Sequence, residues 1–262
     1  MNNCVLSNQQ RLIISNYQGE KNVIQIGFTT RQFGDCRIEN SEHDLKIDQL
    51  MRIFQADECV RMVPNHTPKI MLSLVLEGDK IKTANCDGII HFKPKQPEFV
   101  SLIHCGWKTI AENIVEKAVK NILFWCPISS RDIKAIIYGG ICPLCYEVDS
   151  DVIEKFQKHS DCFRAGAKPG KYHLSLAKII NQKLLRKGLC RENIRIINIC
   201  SHYHNFRHIN SSYRYVWDYD PLLFSHRRGE PERNLVLAKL KNDNILIAGT
   251  TGNCPYVILY NA

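Results

Sequence analysis

Phe99-Val100-Ser101-Leu102-Ile103-His104-Cys105-Gly106-Trp107, followed closely by the stretch from Thr109 to Phe124, decides the fold. Phe99 to Ile103 is a short, almost wholly apolar run, as in a buried strand. From Thr109 onward, apolar residues recur at Ile110, Ala111, Ile114, Val115, Ala118, Val119, Ile122 and Leu123. That spacing is the stripe of a helix packed on a sheet. A buried strand giving way to an amphipathic helix is the building unit of an α/β protein.

The same alternation extends in both directions. Val23 to Phe28 reads as a strand, Asp48 to Phe54 as a short helix and Ile70 to Leu76 as a strand. Glu77-Gly78-Asp79-Lys80 reads as a hairpin-like turn, with Ile81 to Thr83 continuing on its far side. Ile133 to Tyr138 is a buried strand ending at Gly139-Gly140. Asp149 to His159 and Leu174 to Lys187 read as helices, the second closed by Gly188 in a left-handed cap. Ile194 to Ile199, Leu235 to Leu240, Asn244 to Ala248 and Tyr256 to Leu259 complete the strands. The pattern shows no linker and no internal repeat. It predicts one α/β domain over residues 1–262, a mixed sheet sandwiched between helices.

Composition sets the outer bounds. With 262 residues, 44% of them hydrophobic and 23% charged, the chain can bury a sizeable core without disulfides. Met1-Asn2-Asn3-Cys4-Val5-Leu6-Ser7 has neither the basic start nor the apolar run of a signal peptide. No window approaches the roughly 18 apolar residues of a membrane span, so a cytoplasmic protein with no membrane partner is expected. In a reducing compartment the 12 cysteines are mostly small buried hydrophobes, with one or two free to be ligands or nucleophiles. The net charge of +9 comes from 35 basic and 26 acidic residues, densest from Lys168 to Arg195. It suits a solvated basic face or a small anionic substrate, and it calls for no specific nucleic acid. Oligomeric state is not legible.

Two segments draw attention to chemistry. His104-Cys105-Gly106-Trp107 stands where the strand yields to the helix, so the helix dipole favours a neutral imidazole and a thiolate. A capping or core histidine would look the same. Thr83-Ala84-Asn85-Cys86-Asp87-Gly88 puts a cysteine at a strand end beside polar residues, though an inert packed thiol also fits. Cys142-Pro143-Leu144-Cys145 is a C-x-x-C with no second ligand pair at a recognisable spacing, and His202-Tyr203-His204 with His208 reads more simply as a polar loop.

Taken together, several segments resemble the laccase-domain family, also known as the polyphenol oxidase or purine nucleoside phosphorylase family. They are Gly27-Phe28-Thr29-Thr30-Arg31, Gln55-Ala56-Asp57, Thr83-Ala84-Asn85-Cys86, His104-Cys105-Gly106-Trp107-Lys108, Pro143-Leu144-Cys145-Tyr146-Glu147-Val148 and Phe224-Ser225-His226-Arg227-Arg228. The match runs from about residue 23 to 240, most of the chain. The resemblance implies a zinc site of two histidines and one cysteine, with the cysteine at Cys86 and the later histidine at His104. Such a site leaves one position for water or substrate. At the third ligand position the family has Gln-Val-His where this chain has Gln55-Ala56-Asp57. Asp57 or, a little later, His66 is expected to complete the site.

The implied reactions are phosphorolysis of adenosine, inosine or guanosine, and deamination of adenosine. The implied partners are therefore a purine nucleoside and phosphate. Arg31 is the first candidate for holding phosphate or nucleoside, with Arg227, Arg228 and Gln55 as further substrate contacts. Asp87, next to Cys86, is the candidate general base. Asn85 stands where the family has an acid, and His226 where it has a tyrosine. These departures motivate a rival reading, in which the chain binds a ligand or partner without catalysis. A second rival is a copper-dependent oxidase of phenols. Multicopper oxidases use several His-x-His pairs, and this chain has one, His202 and His204.

Overall fold

The computed structural model describes residues 4–6, 12–18, 23–73, 81–93, 98–138, 140–197, 199–202, 208–209, 212–213 and 223–261. The turn expected at residues 77–80, Gly139 and His204 lie outside the described residues.

The chain opens with β1 (Cys4–Leu6), β2 (Leu12–Gln18) and β3 (Val23–Thr29), then α1 (His43–Phe54), β4 (Glu58–Val63), β5 (Ile70–Ser73), β6 (Ile81–Asn85), β7 (Gly88–Phe92) and β8 (Phe99–His104). Helices α2 (Trp107–Ala111) and α3 (Ile114–Trp125) lead to β9 (Lys134–Tyr138), β10 (Glu147–Asp149), α4 (Ser150–Glu154), β11 (Phe163–Ala165), β12 (Lys171–Leu174), α5 (Leu176–Arg186) and β13 (Ile194–Ile197). The short pair β14 (His208–Ile209) and β15 (Ser212–Tyr213) precedes β16 (Asn234–Leu240), β17 (Ile245–Thr251) and β18 (Tyr256–Tyr260). No helix among the described residues is long and apolar enough to cross a membrane.

The α/β class read from the sequence holds, but the strands divide into two large mixed sheets. One runs β1-β2-β3-β16-β17-β4-β6, the other β13-β9-β18-β8-β7-β5. Period-2 alternation builds the layers between and around them. Along β16, Val236, Ala238 and Leu240 join a core with Ile136, Ile258, Val100 and Leu102 of the other sheet. Leu235 and Leu237 face the opposite way, onto Ile47, Leu50 and Phe54 of α1. The far side of the second sheet carries α3, α4 and α5 over Ile103, Ile137 and Val257. Strands covered on both faces read as continuous apolar runs, as the wholly buried β8 and β18 do.

The structure corrects three local readings. Strands β5 and β6 do not form a hairpin: β5 pairs with β7 and β6 with β4, in different sheets. The stripe from Thr109 to Phe124 is two helices, because Asn113 adopts a left-handed φ of 66° between them. Asparagine tolerates that conformation, and the Asn113 carboxamide oxygen accepts from the buried Lys183 ammonium at 2.8 Å. The helix expected from Asp149 to His159 is only α4 followed by 3₁₀ turns over Gln157–Cys162. The cap at Gly188 is present, with φ 90° and its N–H donating to Leu185 O at 3.0 Å.

The glycine of the Gly27-Phe28-Thr29 segment is fixed by packing. A Cβ on Gly27 would sit 2.5 Å from Phe54 Cζ, and Phe54 is itself locked in the core under α1. Gly27→Ala is therefore expected to lower stability by about 1–3 kcal/mol, the usual penalty of overpacking. Urea unfolding followed by circular dichroism measures it, and an unchanged midpoint would refute the contact.

Candidate functional site

One open end of the sandwich gathers side chains from four segments. His104 ends β8, opposite Tyr256 of β18. Its backbone N–H donates to Asp87 O at 2.8 Å, which continues the pairing of β7 with β8. Residues opposite one another in an antiparallel pair project to the same face. The His104 and Tyr256 rings accordingly lie 5.4 Å apart, edge to face.

Asp87 is fully buried and holds the group together. Its Oδ1 lies 2.9 Å from His104 Nδ1. Its two oxygens also accept from the backbone N–H groups of Asn65 at 3.4 Å, His66 at 3.3 Å and Thr67 at 2.8 Å. The turn so gripped carries His66 in a left-handed conformation, φ 58°, and brings its ring to 5.2 Å from that of His104. Donor atoms of His66, Asp87 and His104 lie within 4.8 Å of one another. With Nδ1 committed to Asp87, the His104 ring has Nε2 left for a ligand, the usual carboxylate–histidine–metal arrangement.

Cys254, in the turn between β17 and β18, lies against His104 beside this group. Burial pulls the His104 pKa down, but the charge and hydrogen bonding of Cys254, with those of Asp87, outweigh it and hold it at about 9. His66 goes the other way, lowered by burial and then by the charge of His104. Gly106 keeps the space between these groups open. A Cβ there would lie 3.1 Å from His66 Nδ1 and 3.4 Å from Cys254 Sγ. Two imidazoles and a thiol facing one gap, with a carboxylate behind one imidazole, fit the ligand set of zinc.

The residues singled out from the sequence fall into two groups. His104, His66 and Arg227 line one cleft of about 650 Å³, together with Trp107, Tyr146, His226, Arg233 and Cys254. Arg227 lies over the Tyr146 ring at 5.7 Å and donates to Glu147 O. Asp87 stands behind the cleft, its oxygens committed to hydrogen bonds rather than available as a base.

The structure does not bring the others to the cleft. Cys86 packs among Ala84, Ile89 and Leu102 between the sheets, its thiol 3.8 Å from Ala84 O and pushed up to about 11 by burial. Asp57 and Gln55 are exposed at the start of β4, whereas His66 follows its end, roughly 20 Å of strand away. Arg31 pairs with Glu230 and lies over the Phe224 ring at 4.9 Å. Arg228 reaches the same carboxylate at 2.8 Å and donates to Ser201 O at 2.9 Å. Cys254 and Arg233 stand in no recognisable motif, because strand pairing and not spacing delivers them.

The family described as multi-copper polyphenol oxidoreductase laccase matches residues 79–233. A protein of Bacteroides thetaiotaomicron named purine nucleoside phosphorylase is 26% identical over 129 residues, 48% of this chain and 47% of that one. One of Haemophilus influenzae with the same name is 28% identical over 140 residues, 52% and 51% of the two chains. The chain thus spans about half the length of the curated relatives it matches. Among solved structures, the Bacillus licheniformis hypothetical protein YfiH superposes with a TM-score of 0.67 at 18% identity, covering 98% of both chains. YlmD from Geobacillus stearothermophilus gives 0.63 at 16% identity, over 94% of this chain and 98% of that one. At these identities the likeness concerns the fold.

This geometry has two measurable consequences. Gly106 has φ −70° and ψ 160°, open to any residue, so Gly106→Ala should fold. Were a zinc ion held in this gap, the substitution should weaken its binding about 10–100-fold, measured by competition with a chromogenic chelator; unaltered affinity would exclude the gap as a metal position. The second concerns Glu230. Burial pushes its pKa up, but Arg228, Arg31 and the Ser225 N–H overcome this and hold it at about 2 against an ordinary 4.5. A depressed carboxylate contributes stability above its unfolded pKa and loses it as pH falls toward the folded one. Glu230→Gln should therefore cost about 2 kcal/mol at neutral pH, and the difference should fade between pH 4.5 and about 2. Denaturant titrations across that range would show it, and a pH-independent difference would argue against it.

Proposed function

The chain belongs to the multi-copper polyphenol oxidoreductase laccase family, and from that premise we propose that it is a zinc-dependent purine nucleoside phosphorylase. The reaction is adenosine, inosine or guanosine plus phosphate giving the free base and ribose 1-phosphate. The observation that carries this reading is one cleft joining an imidazole–thiol cluster to two arginines and two aromatic rings. Its volume, about 650 Å³, is in the range that buries a small molecule the size of a nucleoside.

Arg227 and Arg233 supply planar, always-charged forks suited to phosphate. Trp107 and Tyr146 offer faces on which a purine can stack. A phosphate oxygen attacks the ribose C1′, the bond from C1′ to the purine nitrogen breaks, and its electron pair leaves with the base. His226 lines the cleft apart from the cluster and is the side chain assigned to give that nitrogen its proton. His66, His104 and Cys254 would hold the metal, which when bound would supply a Lewis acid for the departing base. Asp87 fixes the tautomer and direction of His104. Adenosine deamination at the same cluster would need a base other than Asp87.

A second reading has its own observation. Cys86 is turned into the core and Asp57 sits at the wrong end of β4, so the ligand set implied by the family pattern is not assembled. On that reading the cleft binds a nucleoside-like ligand without turning it over.

Chromatography after incubation with adenosine and phosphate decides between them. The proposal expects adenine only when phosphate is present, at least about 100-fold less in His104→Ala, and a phosphate KM raised about tenfold in Arg227→Ala by loss of one charge-assisted contact. Elemental analysis of the same preparation identifies the metal, since thiolate and imidazole suit copper as well as zinc. Adenosine left intact, with inosine and guanosine equally untouched after zinc is added, would overturn phosphorolysis in favour of the binding reading. Inosine formed from adenosine without phosphate would identify deamination instead.

A further inference from the structure

The C-x-x-C that found no partner in the sequence has one in the fold. Cys142 and Cys145 occupy the turn after β9, and Cys200 lies just beyond β13. These strands are parallel neighbours, paired to their ends at Tyr138 and Ile197, so the segments leaving them emerge on the same side. The three sulfurs lie within 4.8 Å of one another. Cys142 Sγ is 3.4 Å from Cys145 Sγ, and the Cys142 backbone N–H donates to Cys200 Sγ at 3.3 Å. Sulfurs bound to one zinc at about 2.3 Å stand about 3.8 Å apart at the corners of a tetrahedron, inside the range seen here.

We propose that Cys142, Cys145 and Cys200 form a second, structural zinc site, separate from the His66–His104–Cys254 cluster. Zinc binds the three as thiolates, three protons pass to solvent, and one coordination position remains for a further donor. The ion ties the ends of two strands to the wall of the cleft. Tyr146 and Glu147, directly after the C-x-x-C, line that cleft. Ser201, directly after Cys200, donates its N–H to Gly140 O at 2.9 Å and accepts from Asn253 Nδ2 at 2.9 Å. Losing the metal would loosen the surface against which Arg227 packs.

The test uses the full chain purified under reducing conditions without chelator, with metal counted by mass spectrometry and zinc then exchanged for cobalt. His66→Ala/Cys254→Ser removes the cleft cluster, so failure there bears on the proposed function and not on this site. The expected result is that this variant keeps about one zinc per chain and shows the near-ultraviolet thiolate-to-cobalt absorption of a sulfur-rich site. Adding Cys145→Ser should remove both that zinc and that absorption. If the cysteine variant does not fold, the cobalt spectrum of His66→Ala/Cys254→Ser alone still decides. No retained metal in that variant, no thiolate absorption, or a disulfide among the three cysteines in the reduced preparation would each overturn the proposal.

Discussion

The Asp87 carboxylate is the interaction on which the site depends. It is fully buried, and a buried carboxylate is costly unless its oxygens are satisfied. Here the partners that satisfy it are also the parts that must be positioned: the His104 imidazole from one strand and three consecutive backbone N–H groups from the turn carrying His66. The desolvation cost of one charge therefore fixes two imidazoles relative to each other. Removing the carboxylate would leave the 65–67 turn with only its local bonds from Thr67 to Asn65 Oδ1 and would strip His104 of its Nδ1 partner.

The sandwich makes that arrangement possible. Two sheets, one covered outside by α1 and the other by α3, α4 and α5, leave their inner layer open at the strand ends, and Asp87, His104 and Tyr256 stand in a row there because β7, β8 and β18 pair side by side. Cys254 precedes Tyr256 by two residues and so arrives at the same end. Gly106 is the complement of this convergence. Its lack of a side chain, and not any unusual backbone angle, is what leaves a gap between imidazole and thiol.

Much of this was legible in the sequence where the cause is local. The strand from Phe99 to Ile103, the histidine at its end, the glycine after it and the cap at Gly188 follow from periodicity and turn chemistry. The break at Asn113 did not, because the apolar stripe continues across it and only the contact with Lys183 reveals why the chain turns. Nor did the division into two sheets, since a strand's partner is a long-range fact. The Cys86–Asp87 pair shows the limit most sharply. The family motif drew attention to the cysteine, but in this chain the neighbouring residue occupies the working face and the cysteine belongs to the apolar core. Cys86 and Asp87 are the two residues of the bend between β6 and β7, one turned to each side, and the motif alone does not fix which neighbour faces in.

The two sulfur-containing clusters differ in what the fold asks of them. Cys254 shares its site with two imidazoles and faces a cleft, so a ligand held there keeps an open position for chemistry. Cys142, Cys145 and Cys200 lie on the ends of adjacent parallel strands and crowd one another without imidazole between them, which suits closure rather than reaction. Between the two runs a short stretch of shared structure: the turn from Cys142 to Glu147 begins in one cluster and ends as the wall of the other's cleft. Arg227 rests on that wall, over Tyr146 and against Glu147 O, so the position of its guanidinium is set partly by how firmly the turn is held. Parallel strands are joined by crossovers and not by hairpins, so the loops leaving the ends of β9 and β13 are independent of each other in sequence.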